Sequence, residues 1–363
     1  MRQRLSLANG RIVDPAVGRA INLAGYMVLP GIIDVHGDGF ERHLAPRRGA
    51  MMELETGLRA VDAELASNGI TTAVLAQFVS WEGGLRGHEF ADRVFRGLLA
   101  TKAETRTDMI PQMRFETHLL DDYETLPDRL AAWDIPYLVF NDHLPHTRLA
   151  QGRKPPRLTG QALKAGRNPD RHYELLQDLH ARSHDVPAAL DRLTKQLAKT
   201  DIRLGSHDDA TAATRAEWRA RSVSISEFPE TEDAARAARA GGDLIVFGAP
   251  NVVRGGSHNG NVSAAEMIKA GFCDALASDY HYPSLRRAIR SLVQDHGVSL
   301  TQAWALVSEG PARVLGLTDR GTLLPGHRAD LVILDPETWQ VGATFSAGRV
   351  AYMAGGVADR FMA

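Results

Sequence analysis

The sequence predicts an α/β protein, a distorted (β/α)8 TIM barrel with a small β-sandwich domain formed from both termini. Eight short apolar runs of strand character alternate with helix-patterned stretches through the middle of the chain, the signature of a parallel sheet wrapped by helices. Both ends are strand-rich. The 363 residues exceed a barrel of about 250 by enough for a small second domain. The expected division is 1–28 plus 319–363 for the composite β domain and 29–318 for the barrel.

Residues 1–28 read as short strands joined at Asn9-Gly10, a dipeptide that favours a two-residue hairpin turn. Leu29-Pro-Gly-Ile-Ile-Asp-Val-His36 reads as the first barrel strand. Leu54, Leu58, Val61 and Leu65 then share one helix face, Gly69 stands where a helix ends, and Ile70–Leu75 follows as a strand. The remaining strand candidates are Met113–Phe115, Pro136–Phe140, Ile202–Leu204, Ser222–Ile225, Leu244–Phe247 and Ala275–Ala277. Helical runs 231–240, 263–270 and 284–295 lie between the later ones. Residues 147–200 are too long for a single crossover and fit either a substrate-covering insertion or a solvated helical excursion. Ala329–Leu334 and Gly348–Met353 supply the C-terminal strands.

Composition narrows the function. A net charge of −2 argues against a general nucleic-acid binder, which would present a basic face, but leaves room for a small anionic ligand. Cys273 stands alone, so no intramolecular disulfide can form. The first ten residues lack the apolar core of a signal peptide, and no apolar run reaches the roughly 18 residues of a membrane span. A cytoplasmic location is expected, with no membrane partner. Homo-oligomerisation stays open.

Barrel enzymes carry their chemistry just beyond the C-terminal ends of the strands. His36 and Asp38 follow the first strand, and residues i and i+2 of a strand point to the same side. Glu116 and His118 follow Phe115, Asp142 and His143 follow Phe140, His207 to Asp209 follow Leu204, and Asp279 follows Ala277. Five strands thus end in histidine or carboxylate, a pattern suited to a two-metal hydrolase site in which paired divalent ions lower the pKa of a shared water. His36, His143, His207, Asp279 and Glu116 read as metal or catalytic residues. His118 reads equally well as a polar loop residue. Asp142 and Asp209 read as helix caps or as partners for the second nitrogen of a ligand histidine. None of the six lysines falls at a strand end, so Glu116 is the natural bridging carboxylate. Asp279 is placed to take the proton of the attacking water.

A second stretch, Gly248 to Asn261, is rich in glycine around Arg254, Gly255, Gly256, Ser257 and His258. Side chains and amides of this kind suit phosphate oxygens. Arg42, Arg47 and Arg48, after the first strand, can add to the same anionic patch.

Leu29–His36 at the front and Gly321–Leu331 at the back resemble the amidohydrolase superfamily. Within it, His36-Gly-Asp38, Ser206–Ala210, Gly248–His258 and Ser278-Asp279 resemble the α-D-ribose 1-methylphosphonate 5-triphosphate diphosphatase family. The resemblance implies a small phosphorylated substrate cut to the 5-phosphate and pyrophosphate, with a metal-activated hydroxide attacking the α-phosphorus. It also implies two divalent ions on His36, Asp38, Glu116, His143 and His207, with Asp279 beside them as base. Such ligands suit zinc first, and manganese, iron or cobalt as well. Two loops depart from the family pattern, Gly39–His43 and Leu144–Leu149. The competing reading is an amidohydrolase that cleaves a cyclic amide, an N-acyl group or a deaminable ring.

Overall fold

The structure is a computed structural model that describes residues 4–47, 50–256 and 262–363. Arg48, Ser257 and His258 lie outside the described residues. The strands are β1 (Ser6–Ala8), β2 (Arg11–Val13), β3 (Met27–Pro30), β4 (Ile32–Gly37), β5 (Ile70–Val79), β6 (Asp108–Glu116) and β7 (Tyr137–Asn141). They continue as β8 (Arg203–His207), β9 (Ile225–Glu227), β10 (Leu244–Gly248), β11 (Ala275–Ala277), β12 (Leu331–Leu334), β13 (Val341–Ser346) and β14 (Arg349–Met353). Strands β4 to β11 follow one another in chain order in one eight-stranded sheet, the sheet of a (β/α)8 barrel. β4 and β5 are buried along their whole length, as expected of parallel strands covered on both faces.

The chain divides into two compact units: Met1–Leu75 with Ala100–Ile110 and Leu244–Ala363, and Ala76–Leu99 with Pro111–Asp243. In the first unit β1 and β2 form the hairpin expected at Asn9-Gly10, where both residues have positive φ (51° and 76°). The apolar run from Leu29 is not one strand. It breaks at Gly31, where a Cβ would fall 2.3 Å from Thr71 Oγ1, so only glycine lets the chain pass this close to β5. Upstream of the break, β3 pairs antiparallel with β12. Downstream, β4 pairs parallel with β5. β3, β12, β13 and β14 make a four-stranded antiparallel sheet from both ends of the chain. Its apolar face buries Leu331, Ile333, Ala343 and Phe345 against Val357 of a C-terminal helix, Gly355–Met362. Helix Leu54–Ser67 ends as expected: Asn68 closes it and Gly69 follows at φ 83°.

In the second unit β6, β7, β8 and β9 pair in parallel. Between β7 and β8 the long excursion folds into helices His146–Ala150, Leu158–Lys164, Pro169–Ala181 and Val186–Leu197. It has an apolar core of its own, with Leu149, Leu158 and Leu176 packed on Trp81 and Leu144. Fully buried Arg215 ties β8 to β9: its guanidinium meets Asp209 at 3.0 Å and Asp243 at 3.1 Å, and donates to Ser206 Oγ at 2.7 Å and Ile225 O at 3.3 Å. Among the described residues no helix is long and apolar enough to cross a membrane.

Candidate metal centre

In the first unit, backbone pairing fixes the residues that flank His36. The Asp279 N–H donates to His36 O at 3.0 Å and the Asp38 N–H to Asp279 O at 2.9 Å, so the end of β11 is zipped onto the end of β4. Asp279 adopts φ 57°, a left-handed conformation that costs an ordinary residue about 1 kcal/mol or more and that clusters at functional sites. Beneath them Asp34 is fully buried and accepts from Ser278 N–H (2.9 Å), Ser278 Oγ (2.5 Å) and His36 N–H (3.3 Å). Burial raises its pKa against the lowering effect of these donors. Gly37 completes the packing. A Cβ there would sit 2.8 to 2.9 Å from Asp34 Oδ2, Ser278 Oγ and Tyr282 Cε1.

In the second unit, Glu116 ends β6 with no exposure and accepts from Trp81 Nε1 and the His143 N–H, both at 3.2 Å. Its other oxygen pairs with His143 Nδ1. Burial works against the charged imidazole, yet the adjoining carboxylate prevails and the His143 pKa is raised. His207 ends β8 with Nδ1 3.0 Å from Asp208 and Nε2 3.0 Å from the Arg114 guanidinium. That guanidinium also donates to Asn141 Oδ1 at 3.0 Å. Burial opposes ionisation of Asp208, but His207 and Arg114 overcome it and set its pKa at about 2. A donor at Nε2 places the proton of a neutral His207 on Nδ1, towards Asp208. This is the carboxylate–histidine pairing that leaves Nε2 as the basic atom.

Among the described residues of this unit, three groups of side chains bring one ligand atom each within 4.8 Å: His143, His207 and Asp208; Glu82, Glu116 and His143; and His118, Asp142 and His146. A buried carboxylate beside an imidazole, and a second imidazole backed by its own carboxylate, form a nitrogen–oxygen donor set that fits a divalent ion. The chain supplies more than the sequence reading found. Glu227 ends β9 fully buried and accepts from Tyr137 Oη at 2.6 Å and Gln112 Nε2 at 2.9 Å. The strand reading there stopped at Ile225, two residues short of the carboxylate that ends the strand.

Other expectations change. Among the described residues Asp209 caps no helix and backs no imidazole; it is the buried partner of Arg215, Ser206 and Ser226, and Thr211 caps the following helix. Asp142 likewise caps no helix, and accepts from the Leu144 N–H and faces His146. His118 lies in the loop after β6 and is buried there.

The expected amide cradle also fails at two positions. Residues Ala249–Arg254 form a helix, and the amides of Gly255 and Gly256 donate to Val252 O and Asn251 O at 3.1 Å, closing its C-terminus. Gly255 takes the left-handed closing conformation, φ 76°, so its glycine serves the helix end rather than a phosphate. Arg254 is exposed and donates to Tyr280 Oη at 2.7 Å. Arg42 is tied to Glu64 and reaches Tyr280 O at 3.3 Å. Both arginines therefore meet the residue that follows Asp279. Arg47 makes only a bridge to Ala50 among the described contacts.

A model of the amidohydrolase family matches residues 38–352. The alpha-D-ribose 1-methylphosphonate 5-triphosphate diphosphatase of Escherichia coli (strain K12) is 34% identical over 330 residues, covering 86% of this chain and 84% of the relative. The structure is similar to that of N-acetylglucosamine-6-phosphate deacetylase from Thermotoga maritima, with a TM-score of 0.57, 16% identity, and coverage of 96% of this chain and 95% of that one. It is similar to D-hydantoinase with a TM-score of 0.63, 15% identity, and coverage of 95% and 90%. At such identities these two structures speak for the barrel fold alone. The match along nearly the whole chain says more: this protein belongs to the amidohydrolase family, in the branch of the Escherichia coli diphosphatase.

Proposed function

We propose that the chain is a diphosphatase that hydrolyses α-D-ribose 1-methylphosphonate 5-triphosphate to the 5-phosphate and pyrophosphate. The likeness along 86% of its length to a relative named for that substrate carries the reading. We take His36, Asp38, Glu116, His143, His207 and Asp279, all at strand ends, as the ligands of two divalent ions, zinc first and manganese, iron or cobalt as alternatives. Such ions, when bound, lower the pKa of a water and polarise phosphoryl oxygens. Asp279 accepts the proton of the attacking water. Asp208 keeps His207 in the tautomer whose Nε2 is basic, and the Trp81 and His143 N–H groups hold Glu116 in place. Arg254 and Arg42 supply positive charge for the phosphates beside the Asp279 turn. The substrate is small and anionic, and we place its turnover in the cytoplasm.

Pyrophosphate release by metal-replete enzyme tests the reading, with ribose and nucleoside triphosphates compared against cyclic amides. Amide cleavage without pyrophosphate release overturns it. Two further outcomes follow. Arg254→Ala removes a charge-assisted hydrogen bond of about 1.5–3 kcal/mol, so KM for the triphosphate should rise about 10–100-fold with metal content unchanged. Loss of metal at constant KM would refute an anion role for Arg254. Metal loading should also depend on pH. His143 must be deprotonated to bind an ion, and its pKa is raised, so metal affinity should fall as pH drops through that raised value and should recover above it. Titration calorimetry in buffers of different ionisation enthalpy reads the released proton directly.

A further inference from the structure

We propose that His118, Asp142 and His146 form an additional divalent-cation site, distinct from the ligand set assigned above. Each offers a ligand atom within 4.8 Å of the others'. His146 Nε2 lies 3.1 and 3.0 Å from the two oxygens of Asp142, and His118 Nδ1 lies 3.4 Å from the first of them. The remaining ring nitrogens are held from behind. His118 Nε2 is 3.1 Å from Ser183 Oγ, and His146 Nδ1 is 2.9 Å from His180 Nδ1. Histidines that ligate metals are oriented in this way, with one nitrogen fixed by an outer partner and the other turned to the ion.

The three residues come from separate places in the chain: the loop after β6, the loop after β7 and the first turn of helix His146–Ala150. Ser183 and His180 come from the long helical excursion, which gives that segment a task beyond its own packing. Two imidazoles and one carboxylate suit a first-row divalent ion and leave open positions for water or an oxyanion. Those positions face a cavity of about 360 Å³, lined by all three residues and also by His143 and His207. If the proposed function holds, an ion here meets the phosphate oxygens of the substrate, and this consequence rests on that reading. The site itself does not.

The test is elemental analysis of the full-length protein, stripped with chelator, reloaded with Zn²⁺ and desalted. Wild type should retain three equivalents and His146→Asn two. His146 is partly exposed in the first turn of a five-residue helix, so the variant should fold. His180→Leu removes only the outer partner and should weaken the third equivalent about 10–100-fold in a Zn²⁺ titration. His143→Ala separates this proposal from the ligand set. A count that falls with His143→Ala but not with His146→Asn overturns the additional site alone. A count that falls with His146→Asn but not with His143→Ala supports it and overturns the other assignment. Equal counts in wild type and His146→Asn, with an unchanged titration of His180→Leu, refute the site.

Discussion

Glu116→Gln should leave the protein folded, remove at least one divalent ion and lower turnover about a thousandfold. Its two oxygens have different neighbours. One accepts from Trp81 Nε1 and the His143 N–H, and the other faces His143 Nδ1. A glutamine can keep its carbonyl against the two N–H groups and turn its amide towards the imidazole nitrogen, so every buried polar atom stays paired. The fold cost should therefore be small, and the change isolates the negative charge. Without that charge His143 loses the main interaction that raises its pKa, while burial and the Arg114 charge still oppose its protonation. A metal ion contributes several kcal/mol of charge stabilisation in the transition state, and roughly 4 kcal/mol corresponds to a factor of a thousand. Elemental analysis and steady-state kinetics check both parts. Full metal content with activity within tenfold of wild type would remove Glu116 from the centre.

The barrel was legible because its strands are apolar on both faces and its helices carry a clean 3.6-residue pattern. Strand lengths were not. β5 runs on to Val79 through Gln77, and β6 begins at Asp108, well before Met113, because polar residues such as Gln77 and Gln112 are buried there. A reading by apolar runs stops at such residues. The helix Gly355–Met362 also escaped, since its first residues are two glycines and tertiary contacts hold it: Val357 and Phe361 pack on the terminal sheet, and Arg360 donates to Asn22 O and Ala24 O.

The same distinction applies to side chains. Histidines and carboxylates at or just beyond strand ends can be placed from the sequence, as Glu116, His143 and His207 are. Partners cannot. Asp209 and Glu227 are both buried carboxylates near strand ends, yet one pairs with Arg215 and the other with Tyr137 and Gln112, choices made by tertiary packing. Gly255 shows the reverse case. Its residue type suits a phosphate loop and a helix end alike, and a helix of six residues is too short to show a period that would decide.

Asp279→Asn should lower kcat by about 10²–10⁴, the range for loss of a positioned general base, while KM changes only a few-fold. The substitution is chosen for the backbone. Asp279 holds φ 57° between two ladder bonds to β4, and asparagine is among the few residues that accept this conformation readily. The asparagine variant therefore keeps the His36 and Asp38 pairing and an oxygen donor for the ion, and loses the negative charge that accepts the proton. Asp279→Ala removes the acceptor and also adds backbone strain of about 1–2 kcal/mol, so it should lose thermal stability where Asp279→Asn does not. The pH profile gives an independent readout, because the acid limb of kcat/KM that reports an essential base in the free enzyme should disappear from the asparagine variant. If kcat stays within tenfold and the acid limb persists, the proton is taken by another group, and the left-handed turn at Asp279 serves to close β11 onto β4.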